Sequence, residues 1–206
     1  MKNPYITIID YGIGNTHSVL NALKYLGYSK IKISDNYKDI LESDALILPG
    51  VGAFEACFKN LKNRGLIPIL NDEVLVKKKP ILGICVGMQL LATHSEENGL
   101  HNGLDWIKGK VKKLETPKNL PVPHVGWNNA NINFDNPLIK NNENKSFYFD
   151  HSYHFECDSK YVFADSDYGL RVTAGIQKDN IFGVQFHPEK SQVAGLKLFR
   201  GFLKNI

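Results

Sequence analysis

A single cysteine lies between two glycines in the segment GICVG, residues 83–87. It follows an apolar, strand-like run and precedes GMQLLATH, for which we expect a helix over residues 87–94. A nucleophile at a sharp strand-to-helix turn needs glycines beside it, because the turn leaves no room for side chains. The pattern predicts that Cys85 is a thiol nucleophile, and that the Val86 amide and the helix N-terminus stabilise negative charge there. A buried structural cysteine between closely packed glycines is the alternative.

A thiol nucleophile needs a base, and His187 has the most suggestive surroundings of the seven histidines. It ends the apolar run IFGVQF and is followed by Pro188 and Glu189. Active-site residues collect at the strand ends of parallel sheets. Glu189 could accept the Nδ1 proton of the imidazole and orient the ring. The sequence thus predicts a catalytic arrangement of Cys85, His187 and Glu189, with an ordinary strand-to-helix turn as the alternative for HPE.

A third segment, LPGVGAF at residues 48–54, follows a buried strand-like run and contains two glycines and a proline. Backbone amides of this segment could complete an oxyanion hole beside the cysteine turn, and a plain turn is the alternative. The segment YGIGN at residues 11–15 is not a dinucleotide fingerprint, because His17 stands where that pattern requires a third glycine.

The elements that must position these residues follow two patterns along the chain. In the first half, short apolar runs predict strands at residues 5–10, 30–34, 44–50 and 80–84. Helical spacing predicts helices after residue 15, over about 55–62 and over about 66–77. In the second half we expect strands, several of them antiparallel, at residues 109–114, 124–134, 145–157, 161–167, 171–177 and 180–187. A helix with Ser191 as its N-cap closes the chain.

Strand–helix alternation indicates a parallel sheet covered on both faces. We therefore expect an α/β fold in a single domain over residues 1–206. Its central, mostly parallel sheet would be flanked by helices and extended by antiparallel strands from the second half of the chain.

Composition excludes several classes of protein. The 206 residues are 43% hydrophobic and 22% charged, which is typical of a globular domain. The net charge of +4 comes from short lysine runs without interleaved arginines and aromatics, so we expect no nucleic-acid partner. No apolar run could span a bilayer and no signal-peptide pattern occurs, so we expect no membrane partner and a cytoplasmic location. The three cysteines, widely spaced, predict neither disulfides nor a metal site.

Six segments together resemble the class I glutamine amidotransferases, and within them most closely the glutaminase subunits of imidazole glycerol phosphate synthases. The segments, which cover the chain nearly from end to end, are IIDYGIGNTHSV, ILPGVGAF, GICVGMQLL, PHVGWN, YFDHSY and NIFGVQFHPEKS. The resemblance implies that Cys85 attacks the side-chain amide of glutamine. His187, oriented by Glu189, would take the thiol proton and give it to the leaving ammonia. No cofactor is implied.

The resemblance also implies a substrate site and a partner. Gly50, Val51 and Gly52 would form an oxyanion strand opposite the amide of Val86. The implied glutamine contacts are Gln89, His151, Ser152 and Tyr153. Ammonia would pass into a (βα)8-barrel cyclase subunit, with which the chain forms a heterodimer that makes imidazole glycerol phosphate in histidine biosynthesis. The implied interface positions are Asn15, Trp127, Tyr148 and Lys190.

Alternatives remain at this point. Asp150 stands in YFDHSY where the family usually has a small apolar residue, which leaves open a related branch that supplies ammonia for amidation of a bacterial surface sugar. Cysteine peptidases and γ-glutamyl hydrolases use a similar turn, but Gln89, PGVGAF and HPEKS argue against them. A binding module without chemistry would not need Cys85, His187 and Glu189 together.

Overall fold

The computed structural model of the protein describes residues 3–140, 145–204 and 206. In chain order its strands are β1 (Ile6–Ile9), β2 (Ile31–Ser34), β3 (Ala45–Gly50), β4 (Ile81–Cys85), β5 (His94–Ser95), β6 (His101–Asn102), β7 (Gly109–Lys113), β8 (His124–Asn129), β9 (Asn131–Ile132), β10 (Ser146–His151), β11 (Tyr153–Cys157), β12 (Val162–Asp167), β13 (Arg171–Lys178) and β14 (Ile181–Val184). The helices are α1 (Thr16–Tyr25), α2 (Tyr37–Glu42), α3 (Phe54–Asn63), α4 (Leu66–Asn71), α5 (Val86–Gln89) and α6 (Gln192–Leu203).

An eight-stranded sheet forms the centre of the fold, in the order β2-β1-β3-β4-β14-β13-β12-β9. The first five strands in this order (β2, β1, β3, β4 and β14) pair in parallel. The last three (β13, β12 and β9) are added by antiparallel pairings. Every residue of β3, β4 and β14 is buried, as expected for strands covered on both faces. The predicted mostly parallel central sheet with an antiparallel extension is confirmed.

Two smaller sheets lie beside the central one. The strands β8 and β10 form a two-stranded ribbon, and β11-β7-β5-β6 form a four-stranded sheet. The single strand predicted over residues 145–157 is therefore wrong. Ser152 separates β10, which pairs with β8, from β11, which pairs with β7. The carbonyl of Ser152 accepts a hydrogen bond from the Leu114 amide at this break.

The helix expected over residues 87–94 is much shorter than predicted. Within this range only the residues of α5 are helical, because the carbonyls that follow α5 accept hydrogen bonds from another segment. The carbonyls of Leu90, Leu91 and Ala92 accept hydrogen bonds from amides of the segment 104–107 at 2.8–3.0 Å. Because α5 is only one turn long, its macrodipole is small, and support of a thiolate by this helix N-terminus stays a prediction that rests on the amides of that turn.

Other helices also differ from the prediction. The helix expected over 66–77 is α4 followed by a π-helical turn, Asp72–Val76. The helix α2 was not predicted; it begins after Asn36, whose side chain accepts from the Lys38 amide. Ser191 stands at the N-cap of α6 but makes no capping bond. The Asn-rich loop at 135–145 lies partly outside the described residues, at positions 141–144.

Candidate active site

Cys85 ends β4 in a backbone conformation that only the surrounding fold can enforce. Its φ is 55° and its ψ is −113°, which is a strained combination for a residue with a side chain. A Cβ added to Gly83 would lie 2.7 Å from the carbonyl oxygen of Gly87. A Cβ added to Gly87 would overlap the carbonyl oxygen of Leu48. The prediction that both glycines keep side chains out of a crowded turn is confirmed.

His187 is buried and lies between a sulfur and a carboxylate. Its Nδ1 is 2.9 Å from Oε1 of Glu189, whose side chain is also buried. Burial would lower the pKa of His187, but the Cys85 sulfur and the Glu189 carboxylate outweigh it and raise that pKa to about 10. The structure thus brings the three predicted catalytic residues together and favours a protonated imidazole beside the sulfur.

Asn15 contacts this group, although the resemblance implied a position at the partner interface. Its Nδ2 donates to Oε1 of Glu189 at 3.2 Å, so one carboxylate oxygen receives both Asn15 and His187. Asn15 is also the N-cap residue of α1, and it makes no side-chain capping bond there. Asparagine is among the best N-cap residues. Its side chain is therefore turned away from the helix and toward the charged pair.

Two glutamines form a buried chain of amides next to the sulfur. The Nε2 of Gln185 lies 3.7 Å from the Cys85 sulfur, and its Oε1 accepts from Nε2 of Gln89 at 3.0 Å. The same Gln89 nitrogen donates to the carbonyl of Tyr153 at 2.9 Å. Gln185 was not among the predicted site residues. The sequence feature that could have indicated it is a polar residue inside the apolar run IFGVQF. Gln185 is fully buried, and a buried polar side chain needs hydrogen-bond partners.

His151 supports the pocket wall with both nitrogens of its ring. Nδ1 lies 2.9 Å from the Tyr153 carbonyl, and Nε2 lies 3.1 Å from Nδ1 of the buried His124. Burial lowers the pKa of His151 to about 3 and that of His124 to about 4, so both rings are neutral. The ring of His151 has no nitrogen left for glutamine, so only its backbone can form a hydrogen bond with a substrate.

The turn faces a cavity of about 270 Å³, which is large enough for a small metabolite. Its lining includes most of the predicted site: Val51, Gly52, Cys85, Val86, Gln89, His151, Ser152, Tyr153, His187 and Lys190. Gly50 is instead packed beneath, where a Cβ would lie 2.6 Å from the Gly87 amide nitrogen. Pro123, Asp150 and Glu97 complete the lining. Glu97 was missed, because nothing in SEENG distinguishes a pocket carboxylate from a solvated one.

The predicted oxyanion strand is held from below and from the side. Tyr11 Oη donates to the carbonyl of Pro49 at 2.6 Å, and the Cys57 thiol donates to that of Val51 at 3.4 Å. Glu97 accepts from the amide of Phe54 at 2.7 Å. The segment between β3 and α3 is thus fixed at both ends, while Val51 itself remains partly exposed at the cavity.

The other predicted interface positions form one exposed cluster. Trp127 is 50% exposed, and its ring meets that of Tyr148 edge to face at 6.3 Å. The Nζ of Lys190 lies over the Tyr148 ring at 5.3 Å. Because Lys190 also lines the cavity, this aromatic cluster lies next to the cavity mouth.

Two further findings concern the described part of the chain. Its His, Cys, Asp and Glu side chains form no group of three or more that could hold a metal ion. None of its helices is long and apolar enough to cross a membrane.

The fold and the site define a class of protein, and comparison with known proteins agrees. The family model for class-I glutamine amidotransferases matches residues 7–206. The chain belongs to this family. A chain in the solved structure of PurLQS from Thermotoga maritima has the same fold, with a TM-score of 0.74 at 18% identity over 99% of this chain and 99% of that one.

Two curated relatives are similar over almost their whole length. The chain is 48% identical to "Imidazole glycerol phosphate synthase subunit HisH 1" of Campylobacter jejuni (strain RM1221), over 97% of this chain and 99% of the relative. It is also 48% identical to "Imidazole glycerol phosphate synthase subunit HisH 2" of Vibrio vulnificus (strain YJ016), over 96% and 93% of the two chains. The enzyme class expected from the sequence is confirmed.

Proposed function

We propose that this chain is the glutaminase subunit of an imidazole glycerol phosphate synthase, with Cys85 as nucleophile. One observation carries the chemistry: Cys85 and His187 line the same cavity, and Nδ1 of His187 lies 2.9 Å from Oε1 of Glu189. A thiolate paired with an imidazolium is the reactive form of a catalytic cysteine. The names and near full-length similarity of the relatives support the pathway, histidine biosynthesis.

The sulfur of Cys85 would attack the side-chain amide carbon of glutamine. The negative charge on the amide oxygen would be stabilised by the amide of Val86 and by the backbone amides of Val51 and Gly52, which line the cavity, whereas Gly50 is packed beneath them. The imidazolium of His187 would donate its proton to the leaving nitrogen, so that ammonia departs and a γ-glutamyl thioester remains. Water would then cleave the thioester, giving up a proton to His187, and glutamate would leave.

Residues around the cavity would recognise glutamine. Glu97 places a carboxylate in the lining, which suits the α-ammonium group of an amino acid. Gln89 and the backbone at Ser152 and Tyr153, which also line the cavity, would provide further polar contacts. His151 would contribute through its main chain.

The ammonia would pass to a cyclase subunit in a heterodimer, and we propose that this partner is a (βα)8 barrel. Support comes from the exposed cluster of Trp127, Tyr148 and Lys190, which adjoins the cavity mouth. Aromatic side chains are enriched at the cores of protein interfaces. Asn15 would act beneath this face, through Glu189. We further propose that residues 1–206 form one amidotransferase domain and that the heterodimer works in the cytoplasm.

Glutamate release from glutamine tests this function. The wild-type chain and the Cys85→Ala variant would each be assayed with the cyclase subunit of the same organism and its nucleotide substrate. We expect turnover with the wild type and none with the variant. Turnover only with a cyclase-like partner from a surface-sugar gene cluster would reassign the acceptor, and no turnover with either partner would reject the glutaminase.

A further inference from the structure

We infer that His124 is a positioning residue for glutamine binding, because it locks the His151 side of the pocket through a direct imidazole–imidazole hydrogen bond. The two residues are a cross-strand pair in register in the ribbon of β8 and β10. Both are buried, and their nitrogens are 3.1 Å apart. This inference rests on the proposed function, since it concerns the binding of glutamine.

Every proton in the chain of hydrogen bonds can be assigned. The Tyr153 carbonyl only accepts, so Nδ1 of His151 carries the proton and Nε2 must accept. The donor to that nitrogen is therefore Nδ1 of His124, and Nε2 of His124 accepts in turn from the Asn128 amide at 3.3 Å. The orientation of Asn128 is fixed independently, since its Oδ1 accepts from the Asn129 amide and its Nδ2 donates to the Asp167 carbonyl.

His124 is also fixed by packing. Its ring is stacked between the rings of Phe149, at 4.7 Å, and Tyr168, at 3.9 Å. Stacking restricts the ring plane, and the hydrogen bonds restrict its rotation in that plane. A residue held so tightly can in turn define the position of His151.

The locked position matters because the Tyr153 carbonyl is shared. It accepts from His151 on one side and from Gln89 on the other, and Gln89 is linked through Gln185 to the Cys85 sulfur. Loss of the donor at His124 would leave Nε2 of His151 unpaired in a buried site. The wall formed by residues 150–153 would then lose its defined position, while the catalytic pair of Cys85 and His187 would not be touched directly.

Two substitutions separate positioning from general stability. His124→Phe keeps the stacking between Phe149 and Tyr168 but removes the donor. His124→Asn places an amide nitrogen about where Nδ1 stands and keeps the donor. Both would be assayed in the complex with the cyclase subunit, measuring kcat and KM for glutamine, with the thermal midpoint and the rate of Cys85 alkylation as controls.

We expect His124→Phe to raise KM for glutamine about tenfold, as loss of one buried hydrogen bond would. Its kcat and alkylation rate should stay within about threefold of the wild type. His124→Asn should recover most of the lost affinity. Unchanged KM in His124→Phe, or equal losses of activity in both variants that follow the folded fraction, would overturn the inference. A wild-type complex that releases no glutamate would instead reject the proposed function on which it rests.

Discussion

At the residue scale, Cys85 is held in a backbone conformation that costs about 1–3 kcal/mol for a residue with a side chain. The surroundings of its sulfur explain why such strain is retained. The Gln185 amide and the His187 imidazole approach the sulfur, and Glu189 fixes the imidazole. Polar side chains thus surround the sulfur, and the helix that follows it is only one turn long.

The Cys85 sulfur and the Glu189 carboxylate together raise the pKa of His187, and we expect that pKa to set the alkaline limit of activity. The pKa of His187 is raised to about 10, above its ordinary value near 6.5, so the imidazolium persists at neutral pH and is lost only as pH approaches 10. Glu189→Gln removes a cause of that rise and lowers the pKa. We expect kcat to fall roughly 10²–10⁴-fold, the range of general acid–base contributions, and the alkaline limb of the pH–rate profile to move to lower pH.

That profile, measured for glutamate release in the complex, checks the prediction. Glu55→Gln, on the exposed surface of α3, is the matched control and should leave both kcat and the profile unchanged. An unmoved alkaline limb in Glu189→Gln would show that His187 does not depend on this carboxylate.

Asn15 offers a second test at the same scale. Asn15→Asp preserves the shape of the side chain and its N-cap preference, but it replaces a donor to Glu189 with a like charge. We expect about tenfold lower kcat, equivalent to ~1.4 kcal/mol, and a lower thermal midpoint, because the new carboxylate repels the buried carboxylate of Glu189. Asn36→Asp is the control, because that cap lies on α2 and accepts from a backbone amide. Full activity in Asn15→Asp would contradict a role for Asn15 at Glu189.

At the element scale, the turn between β4 and α5 depends on the absence of a side chain at Gly87. A Cβ there would overlap the Leu48 carbonyl in the neighbouring strand β3. Since two backbone segments would have to separate, we expect Gly87→Ala to lower the free energy of unfolding by about 3 kcal/mol, measured by urea denaturation.

A glycine whose substitution causes only backbone strain is the control for that measurement. Gly27, at the end of α1, has a φ of 89° and open space around it. Gly27→Ala should lower the free energy of unfolding by about 1 kcal/mol. Equal losses in the two variants would mean that close packing against β3 does not define the turn between β4 and α5.

Features that depend on local interactions could be predicted from the sequence, whereas features that depend on contacts between distant segments could not. Strands such as β3 and β4 were predictable because burial on both faces gives continuous apolar runs. The end of α5 was not, since it is set by hydrogen bonds from residues 104–107, which no local pattern reveals. Similarly, HPE and GICVG predicted the catalytic group, whereas Glu97, Gln185 and the contact of Asn15 with Glu189 depend on distant segments meeting in the fold.

The two faces of the ribbon of β8 and β10 carry different side chains. His124 and His151 face inward and support the pocket, while Trp127 and Tyr148 pair across the outer face. Strand geometry alternates side chains between these faces, so a partner bound on the outer face would contact the same two strands that hold the pocket wall.

At the scale of the whole molecule, the outer face should govern assembly. Trp127→Ala removes a half-exposed aromatic ring, so the isolated chain should keep its thermal midpoint. We expect Kd for the cyclase subunit to rise about 30-fold, as for a hot-spot aromatic of ~2 kcal/mol. Tyr25→Ala, an 81% exposed ring at the end of α1, should leave Kd unchanged. Equal Kd values for the two variants, measured by titration calorimetry, would place the interface elsewhere.

The most direct measurement of the central claim follows the amide nitrogen itself. The complex would be given glutamine labelled with ¹⁵N in its side chain, the nucleotide substrate of the cyclase and an excess of unlabelled ammonia. A glutaminase that passes ammonia from Cys85 to its partner predicts ¹⁵N in the imidazole glycerol phosphate, one for each glutamate formed, and none with Cys85→Ala. Glutamate without labelled product, or labelled product from Cys85→Ala, would contradict the account.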